Sequence, residues 1–352
     1  MAVQIRARDL GINVGEMEPG ARNKISDVKG VLVGHETIDT DRHKTGVTVV
    51  IPTPDNVFLN KVTAAAHVLN GFGKTLGLVQ VQELGTLETP IALTNTLNVG
   101  LVHDALVQYT IDRCKTEGFE ARSINPVVCE CNDATLNDIQ DRAVNAGRVF
   151  SAIQNACEDF EEGDAGGGKG MVCYGFKGGI GSASRVMPLD GHTFTLGVLV
   201  QANYGRTADL VIQGSPTGRS VPHGWGVKED LGSIIVIVAT DLPLDSRQLG
   251  RVIKRAGIGM ARLGSMMGHG SGEIIIGFTT ENRVHHLEGQ NILTQRILRE
   301  DRLDIPFRAA AECCEEAILN AMLCADAVKG YTGERKASLR RWLMENPLQP
   351  KA

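Results

Sequence analysis

The chain has 352 residues, of which 42% are hydrophobic and 22% charged, with a formal net charge of −5. That composition supports a real hydrophobic core. The acidic balance, the lack of a Lys/Arg-rich patch and the 4% aromatic content exclude a polyanion-gripping surface and a stacking platform for single-stranded nucleic acid. The N-terminus has no apolar signal core and no run approaches the roughly 20 apolar residues of a membrane helix, so the expectation is a soluble, cytoplasmic protein with no membrane or nucleic-acid partner. Of the eight cysteines, Cys129 and Cys131 are two apart and Cys313 and Cys314 adjacent, which is not zinc-ligand spacing. Most lie in apolar stretches, which fits a reducing compartment, and no metal or cofactor is expected.

In chain order, VLVGHETI (31–38) and GVTVVIP (46–52) are β-branched runs bounded by turn residues and predict strands. AAAHVLNGFG (64–73) ends in a Gly-rich turn, and TPIALTNT (89–96) is a further apolar run. The periodicity then turns helical over 98–118 and closes at glycine. NPVVCECND (125–133) predicts a strand running into a polar loop, and 143–160 a helix. A Gly-rich stretch occupies 163–185, before a buried strand over 193–205. Residues 206–231 are polar and read as a mobile or processed connector. SIIVIVATD (233–241) is the most continuous β-branched run, followed by a helix over 245–264 capped by Asp245 or Ser246. GEIIIGFTT (272–280) predicts a strand and 307–328 a long helix. Continuous, non-alternating apolar strands are buried on both faces, so the prediction is one layered α/β domain over 1–352.

Two glycine–lysine sites, GFGKT (71–75) and GGGKG (166–170), invite a phosphate-binding reading, but neither satisfies the P-loop spacing, and turns explain them better. The nine histidines are scattered, without HExxH, and no GxSxG elbow accompanies them. Gly232–Ser233 is more informative. It lies after a polar connector and immediately before a buried strand, the arrangement an N-terminal nucleophile needs. There the serine oxygen attacks the preceding carbonyl, and the freed α-amine, with a reference pKa of about 8, becomes the local base. Taken alone, the dipeptide reads better as a turn ending before a strand. Ser271 and Glu273 are two apart at a strand head, hence on one face, where they can orient and polarise a neighbouring nucleophile or simply form a solvated strand end.

Several long blocks in order change that balance. RARDLGI (6–12), ISDVKGVLVGHETI (25–38), LETPIALTNTLNVGLVHDAL (87–106), GGGKGMVCYGFKGGIGSASR (166–185), GVLVQANYG (197–205), GSIIVIVATDLPL (232–244) and GHGSGEIIIGF (268–278) together resemble the L-aminopeptidase/D-Ala-esterase-amidase and β-peptidyl aminopeptidase family, nearly end to end. The resemblance implies a four-layer αββα sandwich of N-terminal-nucleophile type, cut after Gly232 into an α chain, 1–232, and a β chain, 233–352. It implies Ser233 as nucleophile, assisted by Ser271 and Glu273, with Asn203 as an oxyanion-hole side chain and Glu130 as the carboxylate that binds the substrate's free amine. Short peptides, amides or esters with a free N-terminal amine are the implied substrates, and a homo-oligomer of αβ units the implied assembly. Some members carry an aromatic, often Tyr, in the loop after the amine-binding Glu. This chain reads CNDATLND (131–138), leaving Asn132 or Thr135 as polar substitutes. The alternatives are an oligoamide hydrolase, an acyltransferase of related architecture (whose nucleophile is Thr rather than Ser), and a non-enzymatic phosphate-ligand-binding protein.

Overall fold

Runs of Val, Ile and Thr fold as extended chain because branched side chains pack well on a pleated surface. The computed structural model describes residues 4–222, 226–230, 232–287, 289 and 291–348. It begins with β1 (Leu32–Asp39), β2 (Lys44–Ile51) and β3 (Asn60–Gly71), then helix α1 (Leu78–Leu84). Next come β4 (Thr86–Leu87), β5 (Ile91–Asn95), α2 (Val99–Thr116), β6 (Val127–Cys131) and α3 (Ala146–Gln154). The short strands β7 (Val172–Cys173) and β8 (Phe176–Lys177) precede the long pair β9 (Gly179–Leu189) and β10 (His192–Asn203). The remainder is β11 (Ser233–Thr240), α4 (Ser246–Ile253), α5 (Ala256–Arg262), β12 (Gly272–His285), α6 (Asp304–Leu323) and α7 (Leu339–Glu345), with a two-stranded ribbon before α7.

Two sheets face each other. One has four strands in the order β1-β2-β5-β6, the other six in the order β4-β3-β12-β11-β10-β9. Leu93, Cys129, Leu199, Ile235 and Ile276 belong to the apolar layer between them. Helices α2 and α3 cover the outer face of the four-stranded sheet through Val102, Leu106 and Val149. Helices α4, α5 and α6 cover the other outer face through Leu249, Met260 and Ile318. The result is the expected αββα sandwich. Strand β11 is buried at every position, because it runs through the middle of a sheet covered on both faces.

Three expectations shift in detail. The helix expected over 143–160 spans only Ala146–Gln154, since the side chain of Asn145 caps its start by accepting the Arg148 N–H. The helix expected over 245–264 starts at the Asp245 cap as foreseen but divides into α4 and α5 at Lys254–Arg255. In the Gly-rich stretch, 179–185 forms the first part of β9. A Cβ on Gly181 would lie 2.0 Å from the Ala317 carbonyl oxygen, so this glycine admits the backbone of α6 against the sheet. Residues 223–225 and 231 of the connector lie outside the described residues. Its described part is tied down rather than loose: Thr207, Leu210, Ile212 and Thr217 are buried. Among the described residues, no helix is long and apolar enough to cross a membrane.

The contact of α6 with the sheet is fixed by charge as well as shape. Arg185 on β9 is wholly buried and donates to Glu312 (3.1 Å) and Glu316 (2.7 Å) of α6 and to the carbonyl of Val14 (2.8 Å). Removing one member of a buried ion group strands the others without compensation, at a cost of about 3–5 kcal/mol. Arg185→Met is therefore expected to lower the urea midpoint of unfolding by a corresponding amount, read by circular dichroism, whereas Arg206→Met at an exposed pair with Asp209 should leave it nearly unchanged.

Candidate active site

Strand β11 pairs antiparallel with β10 and parallel with β12. Those directions bring the end of β10 and the beginnings of β11 and β12 to one edge of the sheet. The register sets Asn203 opposite Ser233, and Ser233 opposite Gly272. Residues 203, 233, 271 and 273, dispersed over seventy positions of sequence, thus become neighbours. Glu130 stands on β6 of the facing sheet and forms no hydrogen bond with the other four among the described residues.

Ser233 is buried, and its hydroxyl oxygen accepts the Gly272 N–H at 3.2 Å. Ser271 and Glu273 share a face, as the two-residue spacing requires, and the Ser271 hydroxyl donates to Glu273 Oε1. Glu273 Oε2 has no hydrogen-bond partner among the described residues. Burial pushes the Glu273 carboxyl up to about 7. The Ser271 hydrogen bond opposes that rise and the charge of Asp230 adds to it. Asn203 is held at both ends of its amide: Oδ1 accepts the Val172 N–H (2.8 Å) and Nδ2 donates to the Asn132 carbonyl (3.0 Å). The wholly buried Lys177 supports that loop, its ammonium donating to the carbonyls of Gly168, Met171 and Gly178.

Glu130 is buried and accepts the Lys74 N–H (2.9 Å) and the Thr96 hydroxyl. The neighbouring Cys131 joins it to the serine, since Cys131 Sγ donates across the sheets to the Ser233 carbonyl at 3.3 Å. Gly232 has a steric reason to be glycine. A Cβ there would lie 1.8 Å from the Asn203 carbonyl oxygen, so the peptide before Ser233 is pressed against the end of β10. Beside it opens a cavity of about 500 Å³ lined by Asn132, Thr135, Val172, Asn203, Gly205 and Gly232 and by the connector residues Val227, Lys228 and Glu229. Asn132 and Thr135 both line this cavity, although the Asn132 side chain accepts the Ala134 N–H in a local turn.

Three contributors escape sequence reading. Cys131 reads as a small buried hydrophobe. Asn70, near the end of β3, secures the loop before β12 by donating to the carbonyls of Gly268 (2.8 Å) and Ser271 (2.5 Å). A register shift between Glu273 and Ile274 in the pairing with β3 marks a bulge beside the site, as is common where a sheet must re-aim a side chain. Asp230, two residues before Gly232, bridges two loops, and its only sequence signal is a carboxylate in a polar connector.

The lysines behind the phosphate reading are occupied. Lys169 pairs with Asp39 (2.7 Å) and Asp164 (2.8 Å), and the Lys74 ammonium lies over the Phe72 ring at 4.3 Å. Residues 23–336 match the sequence pattern of peptidase family S58. The chain is 38% identical to the beta-peptidyl aminopeptidase BapA of Sphingosinicella microcystinivorans, over 93% of this chain and 88% of that protein. Among solved structures, a Burkholderia sp. beta-aminopeptidase is 40% identical with a TM-score of 0.89, over 98% of this chain and 100% of the other. The L-aminopeptidase D-Ala-esterase/amidase of Ochrobactrum anthropi, described as a prototype for the serine aminopeptidases and a new variant among the Ntn hydrolase fold, is 36% identical with a TM-score of 0.90, over 97% and 98% of the two chains.

The electrostatics of the pair can be checked directly. In protein carrying ¹³C-labelled glutamate, one carboxyl resonance should titrate near 7 and vanish in Glu273→Gln. Ser271→Ala, by removing the hydrogen bond that favours the charged form, should move that midpoint upward. A Glu273 resonance titrating in the ordinary carboxylate range would contradict the burial described above.

Proposed function

Because the chain belongs to peptidase family S58, we propose that it is a self-processed aminopeptidase and amidase whose nucleophile is Ser233, exposed by cleavage after Gly232. The observation that carries this reading is the strand register, which gathers Asn203, Ser233, Ser271 and Glu273 at one sheet edge behind a residue that only glycine can be. In maturation, Ser233 Oγ attacks the Gly232 carbonyl carbon, and the Gly232–Ser233 C–N bond breaks. The nitrogen takes the proton, and water then hydrolyses the ester, leaving a carboxylate on Gly232 and a free amine on Ser233. A single layered α/β domain is thereby divided into two associated pieces.

In turnover, the Glu130 carboxylate pairs with the ammonium of the substrate. The Ser233 amine accepts the hydroxyl proton as Oγ attacks the scissile carbonyl, with the Ser271–Glu273 pair orienting and polarising the nucleophile. Asn203 Nδ2 donates to the developing oxyanion, a donor of a kind worth about 3 kcal/mol. The proton passes to the leaving group, and water releases the acyl-enzyme. The substrates are short peptides, amides or esters with a free N-terminal amine. The relatives' names place β-peptides and D-alanine esters and amides within that class. All eight cysteines are free thiols, which supports a reducing cytoplasmic setting. We extend the reading to a homo-oligomer of αβ units on the family resemblance.

Denaturing electrophoresis with intact-mass measurement tests the reading. Two fragments are expected, the smaller beginning Ser-Ile-Ile, while Ser233→Ala stays whole; a wild-type chain intact after prolonged incubation would sink self-processing. Separately, Glu130→Gln should lower kcat/KM on free-amine substrates by about 10- to 100-fold, the worth of a charged hydrogen bond. It should also abolish the preference for free over acetylated amines, and unchanged discrimination would refute the amine-binding role.

A further inference from the structure

Two residues ahead of Gly232, the Asp230 carboxylate is divided between two loops. Oδ1 accepts the Gly205 N–H at 2.8 Å, and Oδ2 accepts the Gly268 N–H at 3.2 Å. Gly205 follows Asn203 by two residues, and Gly268 precedes Ser271 by three. The approach is close, for a Cβ on Gly268 would lie 3.0 Å from both Cβ and the carbonyl oxygen of Asp230. A second tie lies upstream, where the Val227 N–H donates to Thr207 Oγ1 (2.8 Å) and the Thr207 N–H donates to the Val227 carbonyl (3.2 Å). Neither tie involves an atom whose bonding changes when the 232–233 peptide is cut.

We propose that Asp230 is a positioning residue that clamps the segment before Gly232 onto the loops carrying Asn203 and Ser271, setting the scissile carbonyl for self-cleavage and holding the severed tail in place afterwards. The inference rests on cleavage after Gly232 as set out above. The clamp works because its two acceptors reach two loops at the same sheet edge: one holds the segment to the loop after Asn203, the other to the loop before Ser271. Gly232 is then pressed against the end of β10 from upstream by Asp230 and from downstream by the pairing of β11. After the cut, the same carboxylate joins the two pieces, with Asp230 and Gly205 on one and Gly268 on the other. The tail, with Val227 to Glu229, remains a wall of the cavity beside Asn203.

The clamp also leaves a negative charge near Glu273, which favours that residue's neutral form. The ionisable groups on the elements around Glu273 include Asp230 on the tail, His269 on its own loop, His67 on the paired strand opposite Ile275, Lys74 beyond that strand, and the Ser233 amine once it is freed. Neutralising Asp230 removes a charge that raises the Glu273 pKa, so the limb of the pH profile governed by Glu273 moves to lower pH.

The test follows freshly translated full-length chain by electrophoresis and intact mass. Asp230→Asn preserves shape but loses the charge and one acceptor. It should slow conversion by roughly 10- to 100-fold, with the cut still before Ser233. Conversion at the wild-type rate would overturn the clamp while leaving self-cleavage standing; a wild-type chain that never converts would overturn both. Uncleaved Asp230→Asn should melt at the temperature of uncleaved Ser233→Ala, and a much lower value would make Asp230 a folding residue instead. Matured Asp230→Asn should show its acid limb displaced to lower pH, and an unmoved limb would overturn the link to Glu273.

Discussion

The parallel pairing of β11 with β12, inside a sheet whose other pairings are antiparallel, is the constraint on which the site depends. A parallel neighbour requires a crossover, and α4 and α5 supply it while covering the outer face of the sheet. Had the two strands been joined by a hairpin, Ser271 would stand at the far end of β12 from Ser233. Because they run together, their first residues meet, and β10 ends against them. A slip of one position along β11 would turn Ser233 to the opposite face and place Ile234 opposite Asn203. The buried apolar side chains on both faces of β11 make that slip costly, so the core holds the site in register.

Around this edge the supports are polar and buried or half-buried, and each bonds to the backbone of a neighbour. Lys177 holds the loop that holds Asn203, and Asn70 holds the loop that carries Ser271. Cys131 ties the Ser233 carbonyl to the other sheet. Such groups are expensive to bury unless their partners are fixed, and once fixed they confine the side chains they touch. Glu273 keeps one oxygen left over. A carboxyl in that condition is poised between its two protonation states at neutral pH, a property the chemistry of a peptidase of family S58 can use.

Much of the fold was legible in the sequence because it follows from local pattern. The strand over 233–241 announces its burial by having no polar face, and Asp245 announces a helix start. The αββα layering and the candidate residues entered by resemblance, and the two sheets bear out the layering. What remained illegible depends on contacts distant in sequence. Gly181 shows no reason to be glycine until α6 is seen lying on it. Cys131 looks inert until its thiol is found on the Ser233 carbonyl. Nothing local distinguishes Asp230 from Asp209 or Glu229 in the same connector, since its value lies in two amides 25 and 38 residues away.

The order of the strands along the chain carries one more implication. Gly272, whose amide meets the Ser233 hydroxyl, lies downstream of the bond that Ser233 is proposed to cut. A chain emerging from the ribosome therefore presents Gly232–Ser233 before the strand that completes its surroundings exists. On that proposal the cut would wait for β12 and for the crossover through α4 and α5 that delivers it, and maturation would be timed by synthesis and folding. Its rate would then be a property of each copy alone, unchanged on dilution. The bond would double as a seal that breaks only after the architecture it needs has been assembled.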